Sequence, residues 1–213
     1  MGTWSQDAID SSWVALWNAV GQTAPADALG TLLEYYAERH RQYHTINHVG
    51  SCLEELRLCT VPSSDRNALA LAFWYHDIVY DPKAADNEEA SAELAVAVLQ
   101  EAGAADELIE LVDRLIRATD HRVEVEGPLE ELMVDIDLAV LGAPEQEYEA
   151  YQNAIRFEYS WVQERDYAKG RSAVLDQFLL REQIYRTAPF ASREDQAREN
   201  MLRERAAWMA VLG

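Results

Sequence analysis

The sequence predicts an all-α fold, and three observations carry that reading. Apolar residues recur at spacings of three and four along almost the whole chain, alternating strand-like runs are missing, and cap residues punctuate the periodic segments. In order, the pattern places helices near 8–20, 27–40, 46–60, 65–79, 87–102, 105–118, 128–141, 145–164, 170–183 and 192–211. Ser63, Ser64 and Asp65 suit an N-cap before Arg66, Gly127-Pro128 opens a helix, and Gly142 suits a C-cap followed by Pro144.

A chain of 213 residues can bury one well-packed core. It carries no internal repeat, no low-complexity tract and no linker rich in Gly, Pro or Ser. The best seam is Gly142 to Pro144, yet the helix that follows bears Tyr148, Tyr151, Ile155 and Tyr159 in a stripe that needs a surface to pack on. The expectation is one compact domain over 1–213, with a motif core about 41–142 and a helical extension about 144–212.

Charge bounds the partners. With 38 acidic against 18 basic residues the formal net charge is -20, so the general field repels polyanions and anionic membrane surfaces. A nucleic-acid polymer is therefore excluded as a natural partner, while a small phosphorylated ligand is not, because a metal ion and a few arginines dominate at close range. The longest apolar stretch, Ala68 to Tyr75, is too short to span a bilayer, and Met1 to Ile9 lacks a basic n-region. Cys52 and Cys59, the only cysteines, lie seven apart and read as reduced, buried small residues. A cytoplasmic location is the default expectation.

Chemistry concentrates around the histidines. His44 and His48 are four apart, so in a helix they share a face. The run from Leu69 to Tyr80 is nearly apolar all round and drives His76 and Asp77 inward, where a carboxylate needs a compensating charge. A divalent cation would supply it, with His76 as nitrogen ligand and Asp77 as oxygen ligand. Around the helix that holds Leu132, Met133, Ile136 and Val140, Asp137 falls at the apolar margin and Asp135 points away, to the surface or to cap a neighbour. Such a mixed nitrogen and oxygen set suits Mn, Fe, Co, Ni, Zn or Mg.

His48, then His76-Asp77, then Asp137, in this order, resemble the signature of the HD superfamily of metal-dependent phosphohydrolases. Further elements extend the resemblance over roughly 41–185: Arg41-x-Tyr43-His44, Trp74-Tyr75-His76-Asp77-x-x-Tyr80, Asn87-Glu88-x-x-Ser91, Thr119 with His121, Asp135-x-Asp137-Leu138, Arg156-x-Glu158-Tyr159, Gly170-Arg171 and Arg181-x-x-x-Tyr185. The resemblance implies an HD-type helical domain whose metal ligands are His48, His76, Asp77 and Asp137, and a small phosphorylated substrate such as a nucleotide or phosphate ester.

The remaining polar residues take roles by chemistry and by this resemblance. Glu88 reads from periodicity as a first-turn glutamate favouring the helix dipole, and from the resemblance as a group that orients water or accepts its proton. His44 is the favoured leaving-group or substrate contact, with His121 as the other candidate acid. Arg41 and Arg156 offer guanidinium forks to phosphate, and Tyr43 and Tyr159 could present hydroxyls to it. His40 receives no role. Two other readings stand beside hydrolysis: a di-iron oxygenase, for which only His121 is an extra ligand, and a non-catalytic ligand-binding protein that keeps the metal as a staple.

Overall fold

The structure is a computed structural model that describes residues 4–122 and 124–213. Among them are ten α-helices and no strand, so the all-α expectation holds. The helices are α1 (Gln6–Val20), α2 (Ala28–Tyr36), α3 (Ile46–Leu58), α4 (Ser63–Tyr75), α5 (Asn87–Glu101), α6 (Asp106–Arg117), α7 (Pro128–Asp137), α8 (Glu145–Glu158), α9 (Glu164–Leu179) and α10 (Glu194–Leu212). Two short 3-10 segments, Leu138–Gly142 and Ala191–Arg193, complete the order. Among the described residues no helix is long and apolar enough to cross a membrane.

The chain divides into two compact units, Met1–Val134 and Asp135–Gly213. The division falls inside α7, upstream of the Gly142–Pro144 seam that composition suggests. In the first unit α4 is central: Ala68, Leu69 and every residue from Leu71 to Tyr75 are buried, and α1, α3, α5 and α6 pack against it. Full burial of each leucine or phenylalanine side chain among them favours folding by about 1.5–3 kcal/mol, which is why a helix apolar on all sides must lie inside. Trp74 anchors one side through Trp4 and Trp13, whose ring centroids stand 5.4 and 5.0 Å away. Gly50 on α3 admits the Trp4 ring, since a Cβ there would come within 2.8 Å of it.

Helix ends depart from the periodicity where side chains take over the terminal backbone groups. α4 starts at Ser63 with Pro62 in the cap position and no side-chain cap, in place of the expected serine or aspartate cap. It stops at Tyr75 with His76 as C-cap, although the apolar pattern continues through Ile78 and Val79. Those two residues are apolar because of their surroundings in the following turn, where Ile78 is buried.

The helix expected over 145–164 ends at Glu158, and the next begins at Glu164. Arg156 explains the break, since its Nη1 donates to the Tyr159 carbonyl at 2.7 Å and its Nη2 to the Val162 carbonyl at 3.1 Å. The guanidinium collects carbonyls that a continuing helix would have paired internally.

In the second unit α10 packs against α9 and the Leu138–Gly142 segment, and α8 packs against that segment too. Gly142 does not cap: Ala143 holds the cap position, in extended conformation. Glycine serves there for close approach, because a Cβ would lie 2.6 Å from Arg193 Cβ. The Tyr185 hydroxyl accepts from Gly142 N at 2.8 Å and donates to the Leu138 carbonyl at 3.0 Å. Asp135, expected at the surface or capping a neighbour, is 1 % exposed. It accepts from the backbone N–H groups of Arg186, at 3.0 Å, and Thr187, at 2.7 Å, so the cap is the correct alternative and the surface the wrong one.

Between these helices lies a buried ion pair. Arg171 on α9 donates from Nε to Glu204 Oε1 at 2.7 Å and from Nη2 to Oε2 at 3.0 Å. The same carboxylate accepts from Tyr148 Oη at 2.6 Å and from Trp208 Nε1 at 3.2 Å. Burial would raise the Glu204 pKa, but the two hydrogen bonds from Arg171, its charge, and Tyr148 and Trp208 together lower it.

Removing one partner of such a pair leaves an uncompensated charge. Glu204→Ala should therefore cost about 3–5 kcal/mol, whereas the joint change Arg171→Met with Glu204→Gln should cost much less, because no charge is stranded, the amide oxygen can accept from Trp208 and the Tyr148 hydroxyl can accept from the amide NH2. Urea unfolding at neutral pH measures both, and equal losses would refute the pairing argument. The depressed pKa gives stability that is fully present above the unfolded value near 4.5 and lost as pH falls through the lower folded value. The acid limb of the stability curve should accordingly flatten in the double variant.

Candidate metal centre

α3 and the end of α4 bring His48, His76 and Asp77 together in the first unit. His48 lies in the first turn of α3, and His76 closes α4 with Asp77 following in the turn. Their reactive atoms converge: His48 Nε2 is 3.2 Å from His76 Nε2, and Asp77 Oδ2 is 3.0 Å from His76 Nε2 and 3.6 Å from His48 Nε2. For metal bonds of about 2.1 Å, neighbouring ligand atoms stand about 3.0 Å apart in an octahedron and about 3.4 Å in a tetrahedron, so the spacing fits one shared cation.

The orientation of His76 supports the same fit. Its Nδ1 lies 3.0 Å from the Phe73 carbonyl oxygen, which can only accept, so Nδ1 carries the proton and Nε2 presents its lone pair to the cluster. The His76 ring is sealed, 1 % exposed, whereas the Asp77 side chain keeps 19 % of its surface open. Burial by itself would raise the Asp77 pKa, but the charges that His76, His44 and His48 carry when protonated, and the hydrogen bond that His76 Nε2 donates in that state, hold it well below the usual carboxylate range. Asp77 is therefore ionised at neutral pH and available as an oxygen ligand.

Cys52 joins the group, one helical turn beyond His48 on α3. Its Sγ stands 3.8 Å from both ring nitrogens of His48, and one donor atom from each of His48, Cys52 and His76 lies within 4.8 Å of the others. These buried residues could hold a metal ion. Reading Cys52 only as a small buried residue misses it. The signal was its spacing of four from His48 on one helix face.

Asp137, the remaining expected ligand, is the last residue of α7, half-buried and in the second unit.

The turn that presents the His-Asp pair is held by Arg41. Its Nη1 donates to the carbonyls of Asp77 at 2.6 Å and His44 at 3.3 Å, Nη2 to Ile78 at 2.8 Å, and Nε to Glu38 at 2.9 Å. Its guanidinium lies between the rings of Tyr36 and Tyr80, 5.4 and 5.5 Å from their centroids. Four of the five N–H groups are thus engaged inside the protein.

From the other side α5 clasps the same turn. Ser91 Oγ accepts from Val79 N at 3.1 Å and donates to its carbonyl at 3.3 Å, and Asn87 exchanges hydrogen bonds with the Asp81 backbone at 2.9 and 3.0 Å.

Glu88, between Asn87 and Ser91, is half-buried in the first turn of α5. Burial first, then the charges of Asp120 and Asp77, raise its pKa. The half-buried Glu88 carboxyl thus lies within electrostatic reach of Asp77.

His44 precedes α3 and is not on its face. It stacks on Tyr80 at 4.1 Å, meets the Tyr43 edge at 5.1 Å, and its ring stands 6.1 Å from that of His48. Tyr43 is buried against His48, with ring centroids 4.7 Å apart. His121 lies in the turn after α6, beside Asp120, whose carboxyl is held below its usual pKa chiefly by the hydrogen bond from the Arg122 side chain and only last by His121. Arg156 and Tyr159 belong to the second unit, where Tyr159 packs on Trp161 and Tyr167. His40 donates from Nε2 to the Tyr80 carbonyl at 2.7 Å, a packing role.

No family model matches the chain, and no curated protein matches it. The argument for function rests on the residues themselves.

If Arg41 holds the turn, its loss must be felt without metal or substrate. Arg41→Lys should lower the stability of the metal-stripped protein by about 2–4 kcal/mol, since hydrogen bonds from a charged donor to buried carbonyls contribute about 1.5–3 kcal/mol each and an ammonium cannot span three of them. Unfolding in urea after chelation tests this, and an unchanged midpoint would return Arg41 to a purely ligand-facing role.

Proposed function

We propose that the protein is a metal-dependent phosphohydrolase acting on a small phosphorylated metabolite, a nucleotide or a phosphate ester. The single observation that carries this is the convergence of His48 Nε2, His76 Nε2 and Asp77 Oδ2 at 3.0–3.6 Å, with His76 locked in the tautomer that ligation requires. The order His48, His76-Asp77, Asp137, and its resemblance to the HD signature, supports Asp137 as a further ligand. When bound, a divalent cation supplies a Lewis acid for a phosphoryl oxygen and lowers the pKa of water toward neutrality.

The chain's own residues divide the remaining work. Asp77 contributes the negative charge that holds the cation, and its open edge faces solvent. Glu88, with its raised pKa, orients the attacking water or takes its proton. His44 protonates the leaving group, with the Tyr80 ring fixing the plane of its imidazole. His121 is the alternative acid. The surplus of acidic residues favours a small substrate over a polymer.

Incubation of the metal-loaded protein with a panel of nucleotides and phosphate esters should release phosphate in the presence of one or more of Mn, Fe, Co, Ni, Zn and Mg. His76→Ala should reduce that rate by at least about 100-fold and lower the metal content. Retained metal without phosphate release from any substrate or with any ion would overturn the hydrolase reading.

One observation favours a second reading, in which the metal is a structural staple. A buried cysteine beside two histidines suits zinc, whose structural sites draw on thiolate and imidazole. Under that reading Cys52→Ala lowers zinc affinity at least about tenfold and removes most of the zinc-dependent rise in melting temperature. Under the hydrolase reading with oxygen and nitrogen ligands alone, the same change leaves metal content intact.

A further inference from the structure

His48 and His76 belong to different helices, so the 3.2 Å between their Nε2 atoms depends on how far apart α3 and α4 are held. Trp4 lies outside both helices and touches each of them close to its histidine. Its backbone N–H donates to Asn47 Oδ1 at 2.8 Å, one residue before His48 and 43 residues away in the chain. Its half-buried indole lies against Gly50, two residues beyond His48, and packs on Trp74, two residues before His76, with ring centroids 5.4 Å apart.

The sequence of α3 is adapted to this contact. At about 100° per residue Asn47 and Gly50 share one face, and His48 and Cys52 fall on the next face round the helix. Glycine weakens a helix interior, yet a Cβ at position 50 would stand 2.8, 3.0 and 3.1 Å from Cδ2, Cγ and Cε3 of Trp4. The missing side chain is what lets the indole reach the helix. On α4, Trp74 is fully buried and its Nε1 has no hydrogen-bond partner among the described residues. Its ring is therefore oriented by packing, to which Trp4 and Trp13 contribute.

We propose that Trp4 is a positioning residue of the metal centre, a wedge that sets the spacing of α3 and α4 and through it the approach of the His48 and His76 donors. The inference rests on the reading of that cluster as a metal site, and it adds a residue that touches neither metal nor substrate. Metal–ligand bonds have fixed lengths, so a change in helix spacing must be absorbed by displaced side chains or a poorer coordination shell. Asn47 fixes how deeply the wedge enters, and Gly50 gives it room.

Cobalt(II) titration of the full-length, chelator-stripped protein tests this, followed by visible absorption at a temperature where circular dichroism shows every variant folded. Trp4→Ala should weaken cobalt binding at least about tenfold and change the absorption spectrum, and Trp4→Phe should recover most of the loss. Gly50→Ala should weaken binding in the wild-type background and have little effect beside Trp4→Ala, because the ring it collides with is gone. Val112→Ala, a buried change on α6, should lower the melting temperature and leave cobalt affinity and spectrum unchanged. Cobalt affinity that survives Trp4→Ala, additive effects of Trp4→Ala and Gly50→Ala, or an equal loss in Val112→Ala each overturns the wedge and leaves the metal centre standing. Wild-type protein that binds no cobalt overturns the metal-centre reading and the wedge with it.

Discussion

The final carbonyls of a helix have no partners within it, and at the end of α4 the problem is acute because the helix is apolar and buried on every side. There the Tyr36 hydroxyl donates to the Trp74 carbonyl at 3.1 Å and His76 Nδ1 to that of Phe73 at 3.0 Å, while Arg41 donates to the carbonyls of Asp77 and Ile78 in the turn that follows and also holds that of His44. A single planar guanidinium thereby connects the segment before α3 to the turn after α4. The three converging side chains adjoin those two segments: His48 in the first turn of α3, His76 at the end of α4 and Asp77 in the turn itself. The clamp helps to fix the segments on which the two imidazoles stand 3.2 Å apart.

Holding the turn from both sides explains why so many polar residues around it are not free to do chemistry. Tyr36 and Tyr80 enclose Arg41, Ser91 and Asn87 take up the backbone of Val79 and Asp81, and His40 takes the Tyr80 carbonyl. The pattern of motif residues thus encodes a rigid support at least as much as a reactive set. A site that must place ligand atoms to within a few tenths of an ångström needs this kind of support, since loosely held donors bind any cation or none.

How much of this was legible in the sequence depends on the period involved. The burial of α4 followed from its composition, and the inward placement of His76 and Asp77 followed from α4. Local periodicity could not show that the helix stops at Tyr75, because the turn that follows is held by an arginine more than thirty residues upstream. Nor could it show that Asp135 is buried, because its partners are the N–H groups of Arg186 and Thr187, fifty residues downstream. Cys52 was legible and passed over: it shares a helix face with His48, but a pair of cysteines outside any metal spacing pattern reads first as core. Arg41 and Arg156 lie near motif residues in sequence, but both commit their guanidinium to backbone carbonyls, Arg156 within its own turn and Arg41 on a turn 36 residues away.

The net charge sets a condition on any anionic ligand of this chain. With a formal charge of -20 the distant field opposes binding, so the attraction must come from cations that are desolvated and fixed, where each interaction is stronger than in water. Surface arginines paired with neighbouring acids, such as Arg122 with Asp120 and Arg198 with Glu194, cannot do this, because their charge is already neutralised locally. Arg171 is paired too, but buried: the bidentate grip of Glu204 on Nε and Nη2 is what makes burial of the guanidinium tolerable, so its charge is spent on holding α9 to α10.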